Sequence, residues 1–241
     1  MPNTPLLTLN NLTFNYPGRE AVIKDLQLQF YPGDRIGLVA PNGSGKTTLF
    51  HLIMGLLKPT AGTIGFMGKP AVDEKDFVAL RQKIGLLFQD ADDQLFSPTV
   101  IEDVAFGPLN LGYSREEAQK ISLETLAFLG LSDFADRVTF KLSGGEKKLV
   151  SLATVLAMKP EVLLLDEPTA GLDKKTKTRL MKILNDLELS YIIISHEFDF
   201  LKGTADHIYT MENGKITLDE ELHIHHHEHA HRIGAQPHKH I

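Results

Sequence analysis

Hydrophobic periodicity changes character several times along the chain. Leu7 to Phe14 alternates apolar and polar positions, as a half-buried strand does, and Tyr16-Pro17-Gly18 ends it. Ile23, Leu26, Leu28 and Phe30 predict a second strand, closed by the turn Tyr31-Pro32-Gly33-Asp34. Ile36-Gly37-Leu38-Val39 reads as a buried strand, and Leu49 to Met54 as a helix. Thr63 to Phe66 is a short strand, and Ile84 to Phe88 another that ends in Gln89. From about Val100 to Met158 the pattern is helical. Ser114 and Glu117 have capping-box spacing, Ala118, Ile121, Leu126 and Leu129 follow, and Gly130 stops the helix. A further helix carries Leu149, Leu152, Ala153 and Leu156 on one face. Strands resume at Val162 to Leu165, closing in Asp166-Glu167, and at Tyr191 to Ile194, closing in Ser195-His196. An amphipathic helix lies between them over Lys174 to Leu187. Asp206 to Met211 and Lys215 to Leu218, joined through Asn213-Gly214, predict a hairpin. The expected fold is α/β: a mainly parallel core, a small antiparallel β subdomain near the N-terminus, and a helical subdomain inserted at about 92–158.

Composition narrows this picture little. The chain has 241 residues, no cysteine and a net charge of −6. It therefore has no disulfide framework or thiolate metal site, and no dominant nucleic-acid footprint. The N-terminus lacks the basic and apolar regions of a signal peptide. No window reaches the roughly 18 uninterrupted apolar residues of a membrane span. Histidine is the exception: eight of eleven lie between His223 and His240, which places a boundary near Leu218. The expected division is an enzymatic domain over 1–218 and a His-rich tail over 219–241.

The candidate chemistry centres on Ala40-Pro41-Asn42-Gly43-Ser44-Gly45-Lys46-Thr47-Thr48, between a predicted strand and a predicted helix. That context suits a phosphate-binding P-loop, the hallmark of a P-loop NTPase core. Glycines let backbone N–H groups approach phosphate oxygens, and a helix N-terminus adds roughly half a positive charge. Lys46 is placed to reach the β- and γ-phosphates and Thr47 to ligate Mg²⁺. Ala40 stands where the pattern G-x-x-x-x-G-K-[ST] has glycine, so its φ is expected to be negative. Asp166-Glu167, at the end of an apolar strand, lies where α/β proteins bind ligands. Asp166 suits Mg²⁺, and Glu167 suits a general base acting on water. In Leu142-Ser143-Gly144-Gly145-Glu146, Ser143 and Glu146 form a capping box. The adjacent glycines exceed what a cap needs and suit a helix start lying against a phosphate.

The P-loop, Gln89, Leu142-Ser143-Gly144-Gly145, Asp166-Glu167-Pro168-Thr169, Gly171-Leu172-Asp173 and His196 occur in that order. The chain thereby resembles the ATPase subunit of an ABC transporter over about residues 6 to 218. The resemblance implies hydrolysis of ATP to ADP and phosphate, with ATP and Mg²⁺ as ligands. It implies that Tyr16 stacks on adenine, Gln89 touches Mg²⁺ or the attacking water, and His196 contacts the γ-phosphate. Ser143, Gly144 and Gly145 then bind the γ-phosphate held by a second ATPase subunit, and Asp173 belongs to the dimer contact. Glu146 stands where Gln is commoner. The implied assembly is a homodimer docked on transmembrane subunits at the cytoplasmic face of the membrane. The stretches Leu87 to Phe96, Thr99 to Pro108 and Leu142 to Lys148, with its Glu-Lys-Lys, resemble energy-coupling-factor importers of vitamins, cobalt or nickel.

The tail bears on the substrate. His223, His225, His227, His229 and His231 recur at every second position, with His226 among them. An extended chain projects the five to one side, and a helix makes i,i+4 pairs. Both geometries suit Ni²⁺, Co²⁺, Zn²⁺ or Cu²⁺, and spacing does not choose among them. A purification tag or a solvated tail are the plain alternatives. The reading is thus the ATPase of a cobalt or nickel importer. A transporter of another solute and a soluble ABC ATPase acting on DNA or ribosomes are the rivals.

Overall fold

A computed structural model describes residues 4–41 and 43–218. Strands β1 (Leu7–Asn15) and β2 (Ala21–Phe30) form an antiparallel pair. Their alternating burial follows the sequence alternation, so Leu7, Leu9 and Leu12 of β1 and Ile23, Leu26 and Phe30 of β2 face one core. After β3 (Arg35–Val39) and helix α1 (Lys46–Ile53), β4 (Ala61–Phe66) and β5 (Lys69–Ala71) complete a four-stranded sheet ordered β2-β1-β4-β5. Helix α2 (Glu74–Arg81) leads into β6 (Ile84–Leu87).

The helical stretch holds α3 (Val100–Asn110), α4 (Arg115–Phe128) and α5 (Gly144–Leu156). Capping boxes open all three, at Thr99/Glu102, Ser114/Glu117 and Ser143/Glu146. The chain then returns through β7 (Val162–Asp166), α6 (Lys174–Asp186), β8 (Ser190–Ile194), α7 (Phe198–Thr204), β9 (His207–Glu212) and β10 (Lys215–Leu218). The second sheet runs β10-β9-β3-β8-β7-β6, parallel except for the hairpin strand β10.

This second sheet is buried on both faces, which is why its strands read as continuous apolar runs. Val162, Leu164, Ile192 and Ile194 pack toward the antiparallel sheet and α1, whereas Leu163, Leu165, Tyr191 and Ile193 pack toward α5 and α6. Gly85 lets β6 approach α5 closely, since a Cβ there would lie 2.2 Å from Val155 Cγ1. The β9–β10 turn docks on β2, with Lys24 N–H donating to Gly214 O at 2.8 Å. A Cβ on Gly214, at φ +78°, would lie 2.7 Å from Val22 O.

The predicted strands and long helices are all present. Three elements were not predicted: β5, α2 and α7, of three, eight and seven residues. Ala40 is buried and stays out of the left-handed φ region, as expected. Asn42 and tail residues His223, His225, His226, His227, His229 and His231 lie outside the described residues.

Candidate functional site

The C-terminal ends of β3, β7 and β8 meet, because β8 pairs with both of the others. That register brings the P-loop, Asp166-Glu167 and His196 together from three distant parts of the chain. Gly45 caps α1 at φ +97°, a conformation L side chains avoid, and a Cβ there would lie 2.6 Å from Val22 Cγ1. Lys46 is 8% exposed and its Nζ donates to Ala40 O at 2.9 Å and to Glu167 Oε1 at 3.2 Å. Glu167 is 4% exposed and holds φ 44°, unusual for a non-glycine residue. Its Oε2 lies 2.9 Å from His196 Nδ1, and His196 itself is exposed. The buried carboxylate thus touches a buried cation on one side and an exposed imidazole on the other.

Thr47 Oγ1 donates to Asp166 Oδ2 at 2.7 Å. Burial pushes the Asp166 carboxyl above the usual range and the Glu167 charge adds to this, against the Thr47 hydrogen bond and the charges of Lys46 and His51. Asp166 Oδ1 and Ser44 Oγ are buried with no hydrogen-bond partner among the described residues. An orphaned carboxylate oxygen beside a threonine hydroxyl is a hard-oxygen pair that fits Mg²⁺, so the residues present suit the ion the P-loop implies.

A cavity of about 650 Å³ joins these groups; Tyr16, Lys46, Gln89, Glu167 and His196 line it with the P-loop. Tyr16 is half-buried, edge-on to Phe14, and its hydroxyl lies 3.1 Å from Thr48 Oγ1. Arg19 and Val22 also line this cavity, and His51 acts electrostatically on Asp166. Periodicity carries no signal for these three.

Ser143, Gly145 and Asp173 are not brought to the P-loop cavity. They line a separate cavity of about 390 Å³ that shares no residue with it. Gly144 also lines a third cavity, of about 730 Å³, together with Thr47, Gln89 and Asp166. Nothing in the described chain demands glycine at these helix-start positions. A Cβ on Gly144 would meet nothing within 4 Å, and one on Gly145 only ordinary contact with Thr176 at 3.4 Å. Ser143 and Gly144 are exposed, so the N-terminus of α5 is open to an approaching group. Glu146 closes the capping box, its carboxylate accepting from Ser143 N–H at 2.8 Å. Those hydrogen bonds, first from the Ser143 backbone, hold its pKa below the usual range. Asp173 caps α6, accepting from the backbone N–H groups of Lys175 and Thr176 and from the Thr176 hydroxyl.

Comparison with known proteins follows the same lines. A family model described as ABC transporter matches residues 23–170. An ABC transporter ATP-binding protein of Nitratidesulfovibrio vulgaris is 51% identical, over 98% of this chain and 86% of its own length. The energy-coupling factor transporter ATP-binding protein EcfA of Methanocaldococcus jannaschii is 45% identical, over 88% of this chain and 77% of its own. Among solved structures, cbiO1 from Clostridium perfringens, part of the ABC transporter complex cbiONQ, superposes with a TM-score of 0.80. It is 37% identical and the match covers 89% of this chain and 88% of that one. A dimeric ATP-binding cassette in a post-hydrolysis state with ADP and Pi also reaches 0.80, at 29% identity over 88% of this chain and 97% of that one.

Proposed function

This chain belongs to the ABC transporter family, and from that premise we propose that it powers uptake of a transition-metal ion, cobalt or nickel. ABC ATPases hydrolyse ATP to drive transport and work as dimers with transmembrane subunits; a homodimer on the cytoplasmic face is the arrangement proposed here. Among the described residues no helix is long and apolar enough to cross a membrane.

The observation that carries the catalytic assignment is the contact set Lys46–Glu167–His196 beside Thr47–Asp166. Glu167 is the proposed base: it accepts a proton of the attacking water as the water oxygen bonds to the γ-phosphorus and the bond from that phosphorus to the β–γ bridging oxygen breaks, releasing ADP. Lys46 holds the charge of the β- and γ-phosphates, which offer it anionic partners in place of Glu167. His196 orients Glu167 and reaches toward the γ-phosphate, and Tyr16 stacks on adenine. Gln89 faces the attacking water or the ion. Thr47, Gln89 and Asp166 are the residues that would hold Mg²⁺, which when bound neutralises phosphate charge. Ser143, Gly144 and Gly145 serve the γ-phosphate of the second subunit, and Asp173 contributes to the dimer contact through the loop that precedes α6. Ser143, Gly145 and Asp173 line a cavity that shares no residue with the P-loop cavity, which supports that division, while Gly144 also borders the cavity of Thr47 and Asp166.

A groove of about 360 Å³ carries the proposed contact with a helix of the transmembrane partner. Phe96 and Phe106 line it, 66% and 48% exposed and edge-on at 4.8 Å. The metal assignment rests on the tail, taken as a segment separate from the 1–218 ATPase domain. Six histidines between His223 and His231 offer imidazole ligands for Ni²⁺ or Co²⁺. Calorimetric titration with each ion tests this on the full chain and on a chain with those histidines replaced by asparagine, with ATPase rates in parallel. Tight binding only by the native tail, with a shifted rate, is the expected outcome. Weak binding or an unmoved rate removes the metal assignment and leaves an ABC transporter ATPase of another solute.

A further inference from the structure

The chain leaves β6 at Leu87 and runs through Phe88, Gln89 and Asp90 into a short turn at Ala91–Asp93. Off the sheet, its carbonyls have no ladder partner and need another donor. One side chain supplies two of them: Lys148 Nζ donates to Phe88 O at 3.1 Å and to Gln89 O at 2.6 Å. Lys148 is 3% exposed. Its neighbours on α5 hold the same segment. Lys147 Nζ pairs with Asp92 Oδ1 at 2.6 Å. Gln94 Nε2 donates to Ser151 O at 2.9 Å and Thr154 Oγ1 at 2.8 Å, while Gln94 Oε1 accepts from Phe88 N–H at 3.2 Å. Positions 147, 148, 151 and 154 recur at helical spacing, so one face of α5 is given over to residues 88–94.

Burying a lysine is costly, and neutral donors could satisfy carbonyls. An ammonium adds reach and three donors; burial pushes the Lys148 pKa below the usual lysine range, and the charges of Asp90, Asp166 and Glu167 oppose that. The Glu-Lys-Lys run looks like solvated charge in sequence, yet its second lysine joins the Gln89 backbone to the helix that begins at Ser143-Gly144-Gly145.

We propose that Lys148 is a positioning residue for ATP hydrolysis. It clamps the Gln89 backbone to α5, so that Gln89 at one nucleotide and the glycine helix start at the other move as one body. This rests on the reading of Gln89 as a nucleotide-site residue.

The test is steady-state ATPase kinetics with thermal unfolding on the full chain, for Lys148→Met, Lys148→Gln, Lys148→Arg, Gln89→Ala and the Lys148→Met/Gln89→Ala double variant. A small displacement of a positioned group costs up to about 100-fold, so Lys148→Met is expected to lower kcat about 10- to 100-fold with KM for ATP within about twofold. Its thermal midpoint should fall by only about 5 °C, because the Phe88 and Gln89 carbonyls lose a donor while the cost of burying the charge is relieved. Lys148→Arg, which keeps the donors, should recover most of kcat. The double variant should fall no further than Gln89→Ala alone, since both act through one group. Wild-type kcat in Lys148→Met beside an impaired Gln89→Ala overturns the proposal and leaves the Gln89 reading intact. Losses that multiply in the double variant overturn it as well. So does a kcat that falls only in step with thermal midpoint in both Lys148→Met and Lys148→Gln, which marks a structural lysine. Wild-type kcat in Gln89→Ala removes the Gln89 reading, and the proposal with it.

Discussion

Glu167→Gln separates two roles that one carboxylate plays. The amide keeps the side chain's shape but cannot take a proton, so kcat should fall about 10²- to 10⁴-fold, the range of a lost general base. The same change acts on the resting fold. Lys46 and Glu167 side chains are 9% and 5% exposed and 3.2 Å apart, so solvent screens the pair little. Removing one charge leaves Lys46 buried without its counter-ion, although the amide oxygen still accepts its hydrogen bond. A partly compensated loss of this kind costs about 1–3 kcal/mol. At about 2–4 °C per kcal/mol for a chain of this size, the midpoint without nucleotide should fall by about 5 °C. Mg-ATP offsets this loss. Its phosphates return an anion to Lys46, and saturation at 100 times Kd restores about 2.7 kcal/mol without turnover. The assay is scanning fluorimetry of both proteins with and without Mg-ATP, beside phosphate release. A variant that hydrolyses ATP within tenfold of wild type, or whose midpoint is unchanged without nucleotide, refutes the assignment of this ion pair and base.

Three further outcomes follow from particular contacts. Asp166 has a raised folded-state pKa, so its ionised form opposes folding increasingly as pH rises through that value. Asp166→Asn should therefore gain thermal stability over wild type at about pH 8 without nucleotide, lose that gain near the usual carboxylate range of about 4, and hydrolyse ATP poorly. Tyr191 is fully buried, its hydroxyl donating to Thr204 O, and burial pushes its pKa up to about 12. Ultraviolet titration should leave it protonated at about pH 11, where exposed tyrosines have ionised, and Tyr191→Phe should cost about 1 kcal/mol in chemical denaturation. Gly85→Ala should cost about 1–3 kcal/mol by overpacking against Val155, and adding Val155→Ala should restore part of it.

Much of this was readable from residue order, for identifiable reasons. Doubly buried strands announce themselves as unbroken apolar runs, and each run ended in the polar residues that the structure gathers: Asp166-Glu167 after β7, His196 after β8. Periodicity did not give the strand order. Only the insertion of β3 between β9 and β8 brings Lys46 to Glu167, and that pairing spans more than a hundred residues. The unpredicted β5, α2 and α7 are too short to complete a convincing period, although Asp73 and Asp76 form a capping box that marks the start of α2. At Asp173 the loop motif drew attention to the position, and the structure adds that its carboxylate caps α6. Lys148 was invisible because burial of a lysine is decided by what lies opposite, here two carbonyls sixty and fifty-nine residues away.

The docking of the β9–β10 turn on β2 sets a limit on how the chain can be cut or extended. Val22 carries Gly214 on its backbone side and presents its side chain to Gly45, so the hairpin forms a floor one layer beneath the phosphate loop. A truncation before Gly214 takes that floor away, whereas one after Leu218 leaves it in place. A fusion joined after Leu218 begins at the end of the hairpin strand, and is tolerated as long as it leaves that strand paired to β9.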